Sequence, residues 1–171
     1  MTKARELWFA ILLGLAVYCL VVLAADHAYI GGSKCMMCHK LAKGGEVWQV
    51  WEGTAHAKAF ESLSVEKGDT ENPKCLKCHT TGYAAGGYVP GDTTMNLKGV
   101  QCEACHGAGA DYKLTHSKAE TREKAYAEQG LMKPDEKTCL GCHNEENPNQ
   151  PAEPWNYEKM WAKIEHHLPT E

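Results

Sequence analysis

The amino-acid sequence predicts a mostly α chain with extensive irregular segments and little or no β-sheet, wrapped around a core that the polypeptide does not itself supply. Three observations predict this. From Asp26 onward there are 146 residues but only 16 Leu, Ile, Val or Phe, far fewer than a chain of this length needs to bury enough apolar surface. Strand signals, above all apolar/polar alternation, are nearly absent. The pentapeptide Cys-x-x-Cys-His occurs four times, at Cys35-x-x-Cys38-His39, Cys75-x-x-Cys78-His79, Cys102-x-x-Cys105-His106 and Cys139-x-x-Cys142-His143.

This pentapeptide is the attachment sequence for a c-type haem. Two thiols add to the porphyrin vinyl groups, and the histidine ligates the iron. One copy is weak evidence, because Cys-x-x-Cys also serves zinc and thioredoxin-like sites; four copies, each closed at once by His, are strong. Eight of the nine cysteines are consumed, which leaves no pair for a disulfide. Four covalently bound c-type haems, flat and apolar, supply the missing core, and the haem-free chain is expected not to fold. The first cysteines stand 40, 27 and 37 residues apart. The motifs are thus repeated attachment sites, not a solenoid unit.

Taken in order, residues 1–25 read as a signal peptide or an N-terminal membrane anchor. Lys3 and Arg5 form a positive start, Leu7 to Ala24 is apolar (with the ninth cysteine, Cys19), and Leu23-Ala24-Ala25 offers a cleavage site. Either reading exports residues 26–171, a single tetrahaem domain, to the periplasm or the exterior, with membrane contact only if residues 1–25 are retained. After the first motif, Val47, Trp48, Trp51, Ala55, Ala59, Phe60 and Leu63 recur at helical steps, with a break at Gly53-Thr54. Residues 64–73 read as a loop. Residues 82–91, with four Gly and one Pro, read as a turn or short hairpin. Gly107 and Gly109 let the backbone pass close to a porphyrin. Ser117 to Gln129 reads as a capped, solvated helix, with Ser117-x-x-Glu120 as capping box, Glu120 and Lys124 as an ion pair, and Gly130 as the stop. Residues 144–154 form a linker. A last helix starts near Asn156, buries Tyr157, Trp161, Ile164 and Leu168, and ends at Pro169. The net charge of -4 and the lack of a Lys/Arg cluster exclude a nucleic-acid partner.

His39, His79, His106 and His143 are the proximal ligands. His27, His56, His116, His166 and His167 remain, five imidazoles for the sixth position of four irons. Two strong axial ligands suit electron transfer, whereas an open position suits chemistry.

Gly99-Val-Gln-Cys-Glu-Ala-Cys-His-Gly, with Trp51-x-x-Thr54-x-His56-Ala57-x-Ala59 and Cys78-His79-x-x-Gly82-Tyr83, resembles the tetrahaem cytochrome c-554 family, from about Ile30 to His167. The resemblance implies a mostly helical multihaem cytochrome c fold with haems in stacked and perpendicular pairs. The family's founding member carries electrons away from hydroxylamine oxidoreductase, and related extracellular cytochromes form conductive filaments. Position by position, the resemblance makes His116 the distal ligand of the first haem and His56 that of the third. It gives the fourth to His166, with His167 as the alternative. In the founding member the second haem lacks a protein distal ligand; this chain departs by having His27. The expected function is electron transfer between a redox donor and an acceptor. The alternative is a small multihaem reductase acting on a nitrogen oxide at an open second haem. A filament, in which His27 crosses into a neighbouring copy and fills that position, is a third expectation.

Overall fold

The computed structural model describes residues 27–147 and 154–167. The targeting segment, most of the 144–154 linker, Leu168 and Pro169 lie outside the described residues. No described helix is long and apolar enough to cross a membrane.

Short helices and turns alternate. In chain order they are α1 (Gly32–His39), a 3-10 turn (Ala42–Gly44), α2 (Val47–Glu52), two further 3-10 turns (Ala59–Ser62 and Asp69–Glu71), α3 (Pro73–His79), α4 (Cys102–His106), α5 (Ala119–Glu128), α6 (Glu136–Leu140) and α7 (Tyr157–Trp161). Among the described residues there is no strand, and one antiparallel bridge, Thr80 to Lys98, closes the loop between α3 and α4. The mostly helical class with much irregular chain is thus as the sequence predicts.

Each attachment motif begins on a short helix, and at the second and fourth a side-chain cap starts it. In α3, Asn72 caps the backbone N–H of Lys74 and Pro73 takes the first helical position, where its missing N–H costs nothing. In α6, Asp135 and Thr138 form a reciprocal capping box, a signal the sequence reading passed over. In the first three motifs the helix ends on the histidine itself. In the fourth, α6 stops at Leu140 and Cys142 and His143 follow in a turn that bonds back to the Cys139 carbonyl.

Three expected elements are cut short or shifted. The helix expected over residues 46–63 ends at Glu52, where Gly53 caps it, and resumes only as the 3-10 turn at Ala59–Ser62. The helix expected from Ser117 begins at Ala119, with Lys118 as an N-cap that makes no side-chain bond, and its ion pair is Lys124 with Glu128 at 3.7 Å. The last helix is one turn, capped by Asn156; Tyr157, Trp161 and Ile164 are only half-buried. In each case the local signal exists, but there is little protein core for a longer amphipathic face to pack against.

Six apolar side chains are buried among the described residues. Leu76, Tyr88 and Leu97 form one cluster, flanked by Tyr29, Phe60, Leu63, Tyr83 and Met95; Tyr112, Ala125 and Leu131 form the other. Neither reaches the size of an ordinary domain core.

Candidate haem-binding site

The segment Gly99–Glu103, leading into the third motif, is the hub of the polar network. Gly99 donates its N–H to the His79 carbonyl at 3.0 Å, and Val100 donates to the His56 carbonyl at 2.9 Å. The Trp51 indole donates to the Val100 carbonyl at 2.8 Å. Thr81, fully buried, donates its hydroxyl to the Gly99 carbonyl and accepts the Gln101 N–H, each at 2.8 Å. The Gln101 side chain bonds Gly32, Asn96 and Lys98. Gly99 has φ +82°, and a Cβ there would stand 2.7 Å from the Ala57 carbonyl. Only glycine can bring these strands of chain so close.

Glu103, at the first x of the third motif, is 1 % exposed. Its carboxylate accepts N–H bonds from Ile30 (2.9 Å), Gly31 (2.7 Å) and Gly109 (2.7 Å). With the Ala110 N–H donating to the Ala28 carbonyl, these bonds strap residues 28–31 across the third motif. Sequence reading missed Glu103, Gln101 and Thr81, since nothing in periodicity marks a polar residue that faces backbone.

The histidines come together in pairs. The rings of His39 and His116 lie 5.8 Å apart between centroids and nearly parallel, those of His56 and His143 5.9 Å apart, and those of His106 and His166 6.0 Å apart. Two imidazoles sharing one metal at bonds of about 2 Å place their ring centres roughly 6 Å apart. Hydrogen bonds set the free nitrogen. Nδ1 of His79 bonds the Ala59 carbonyl at 2.6 Å, that of His106 the Met132 carbonyl at 3.3 Å, that of His116 the Tyr112 carbonyl at 2.8 Å and that of His166 the Ile164 carbonyl at 2.9 Å. A carbonyl only accepts, so Nδ1 carries the proton and Nε2 keeps its lone pair for a metal. Burial lowers the pKa of His39, His56, His106 and His143, keeping these imidazoles neutral and able to ligate. Trp155 stacks on His143 at 5.1 Å.

This pairing departs from the expected one at two sites. His116 stands by the first-motif histidine, as expected. His56, however, stands by His143 of the fourth motif rather than the third, and His166 by His106 of the third rather than the fourth. Trp155, just before α7, stacks on His143 of the fourth motif, and the chain beyond α7 carries His166 on to His106 of the third. His167 is exposed, with its Nε2 3.1 Å from a Glu165 carboxylate oxygen. Among the described residues no second imidazole faces His79 in a ring contact. His27 does not approach it in that way either. Its Nδ1 bonds Asp111 at 2.6 Å, and its ring packs against Gly130, where a Cβ would collide with it.

The thiols are neighbours in a definite order. Cys78 is in contact with Cys142, Cys139 faces Cys105 electrostatically, and Cys102 is in contact with Cys35. The attachment points therefore run second, fourth, third, first. Burial pushes the Cys105 thiol up to about 11 and the Cys142 thiol up to about 12, the opposite of the electropositive setting a metal thiolate needs. Among the described residues no three His, Cys, Asp or Glu gather as an ion cage. The residues do fit haem: paired neutral imidazoles, adjacent thiols and a protein core too small to stand alone.

A helical chain with four such motifs and histidine pairs is a multihaem c-type cytochrome. Residues 34–107 match the family described as cytochrome c554 and c-prime. Cytochrome c-554 of Nitrosomonas europaea is 33% identical over 157 residues, covering 78% of this chain and 63% of the relative. This chain thus spans less than two thirds of that relative's length. The solved structure of reduced cytochrome c554 from Nitrosomonas europaea superposes with a TM-score of 0.54 at 29% identity, covering 81% of this chain and 79% of that one. The chain is thus similar to the cytochrome c554 family in sequence and in fold.

Proposed function

We propose that the protein is an exported tetrahaem electron-transfer protein, with three bis-histidine irons and one iron held by a single histidine. The observation that carries this reading is the set of three imidazole pairs at 5.8, 5.9 and 6.0 Å beside a solitary His79. His39 and His116 would hold the first iron, His106 and His166 the third, His143 and His56 the fourth, and His79 the second. Bound haem supplies a one-electron iron couple. The chain supplies fixed axial ligands, which limit rearrangement on electron transfer, and attachment points in a continuous order from the second motif to the first. A redox partner at either end of that order would serve as donor or acceptor.

The solitary His79 also favours a second reading, a small reductase acting on a nitrogen oxide at the second iron. Self-association through His27 would require His27 to give up Asp111 and its seat on Gly130. Coulometric titration of the purified holoprotein separates the first two. A carrier takes up four electrons per chain and returns all four to a one-electron acceptor. Steady consumption of nitric oxide or nitrite by the reduced protein would replace the carrier reading with the reductase.

A further inference from the structure

The third motif holds a buried charge with no cation beside it. Glu103 is 1 % exposed and follows Cys102 directly in the chain. Its two oxygens accept three backbone N–H bonds and no Lys, Arg or His pairs with it among the described residues. A group that only accepts is a carboxylate, and backbone N–H groups solvate it without neutralising it. Its bonds to Ile30 and Gly31 hold it against the start of α1, the helix of the first motif, while Cys102 of the third motif is its neighbour in the chain. One fixed negative charge therefore stands beside two attachment sites in a water-poor interior, where a charge acts over longer range than in solvent.

We propose that Glu103 is a potential-setting residue, whose buried carboxylate favours the oxidised iron at the first and third motifs over the second and fourth. The proposal rests on the haem assignment above. Oxidation adds a positive charge to each iron, and a nearby uncompensated anion stabilises that state. Electrons arriving at the second or fourth site would thus meet a rise on the way to the third and first. The carboxylate also holds residues 28–31 in place, so its charge and its strap must be separated by experiment.

Glu103→Gln does this. The amide oxygen can keep the two bonds that Oε1 makes to Ile30 and Gly109, while the charge is lost. Haem count by mass and spin state by electron paramagnetic resonance are read first, in the full-length holoprotein. A count below four in the wild type would fault the haem assignment and not Glu103. With both unchanged in the variant, spectroelectrochemical titration should show two of the four midpoints rising, each by about a tenfold change in the oxidised-to-reduced ratio, about 59 mV for a one-electron couple. The other two midpoints should hold. Four unmoved midpoints would overturn the proposal. Glu103→Asp is the companion variant: it keeps the charge, and its midpoints should stay close to wild type. An equal rise in Glu103→Asp would assign the effect to lost hydrogen bonds. Failure of both variants to acquire haem would assign Glu103 to assembly alone. Either result overturns the proposal.

Discussion

His79 and the other three motif histidines begin from the same pentapeptide and end in different surroundings. His39, His106 and His143 each face a second ring contributed from far along the chain: His116, His166 and His56. His79 has its Nδ1 fixed by the Ala59 carbonyl, as a ligand needs, with Ser62 at 3.2 Å on the same nitrogen, but no partner ring among the described residues. What differs is tertiary. The His56 ring faces His143 of the fourth motif, whereas the backbone of residues 97–99, not an imidazole, bonds to residues 79–81 at the second. On the proposed assignment, identical attachment chemistry yields two kinds of iron site, according to whether a second imidazole faces the motif histidine.

Breaking the hub should disturb both kinds of site at once and gives the largest effect. Gly99→Ala forces a side chain into a left-handed position costing about 1–2 kcal/mol, and sets its Cβ 2.7 Å from the Ala57 carbonyl. The yield of protein with four haems, measured as haem per chain, should fall severalfold. His56→Ala comes next. It should leave four haems attached and convert one low-spin iron to high-spin, making the fourth site resemble the second. Peptide mapping of the site that newly binds cyanide should find the fourth motif; finding the third would restore the pairing expected from the sequence. Thr81→Val removes a buried hydroxyl that serves Gly99 and Gln101, at a cost of about 1–3 kcal/mol. Thermal unfolding should register the loss while the spin states stay as they are. The smallest effect belongs to His167→Ala, with spin state unchanged and stability within about 0.5 kcal/mol of wild type. His166→Ala at the neighbouring position should turn one iron high-spin.

The sequence made the four attachment sites legible outright, because covalent attachment needs a fixed local spacing that no tertiary contact can alter. The helical class was legible for a similar reason. The scarcity of Leu, Ile, Val and Phe already said that side chains alone would not form the core. Partner choice was less accessible. His56 and His166 could be recognised as spare imidazoles, but which motif histidine each one faces depends on the tertiary path of the chain, which no local pattern encodes. Helix ends were misread at Ser117 and past Gly53 because caps and periodicity describe what a segment can do. With six buried apolar side chains among the described residues, such segments have little to pack on. Glu103 left no sequence mark, since its partners are backbone N–H groups.

Three irons are proposed to be paired and one is not. Quantitative electron paramagnetic resonance of the fully oxidised holoprotein, in dilute solution where chains do not meet, tests it most directly. One high-spin iron is expected for every three low-spin irons, the high-spin one belonging to the second motif. Four low-spin irons, or two or more high-spin ones, would contradict it.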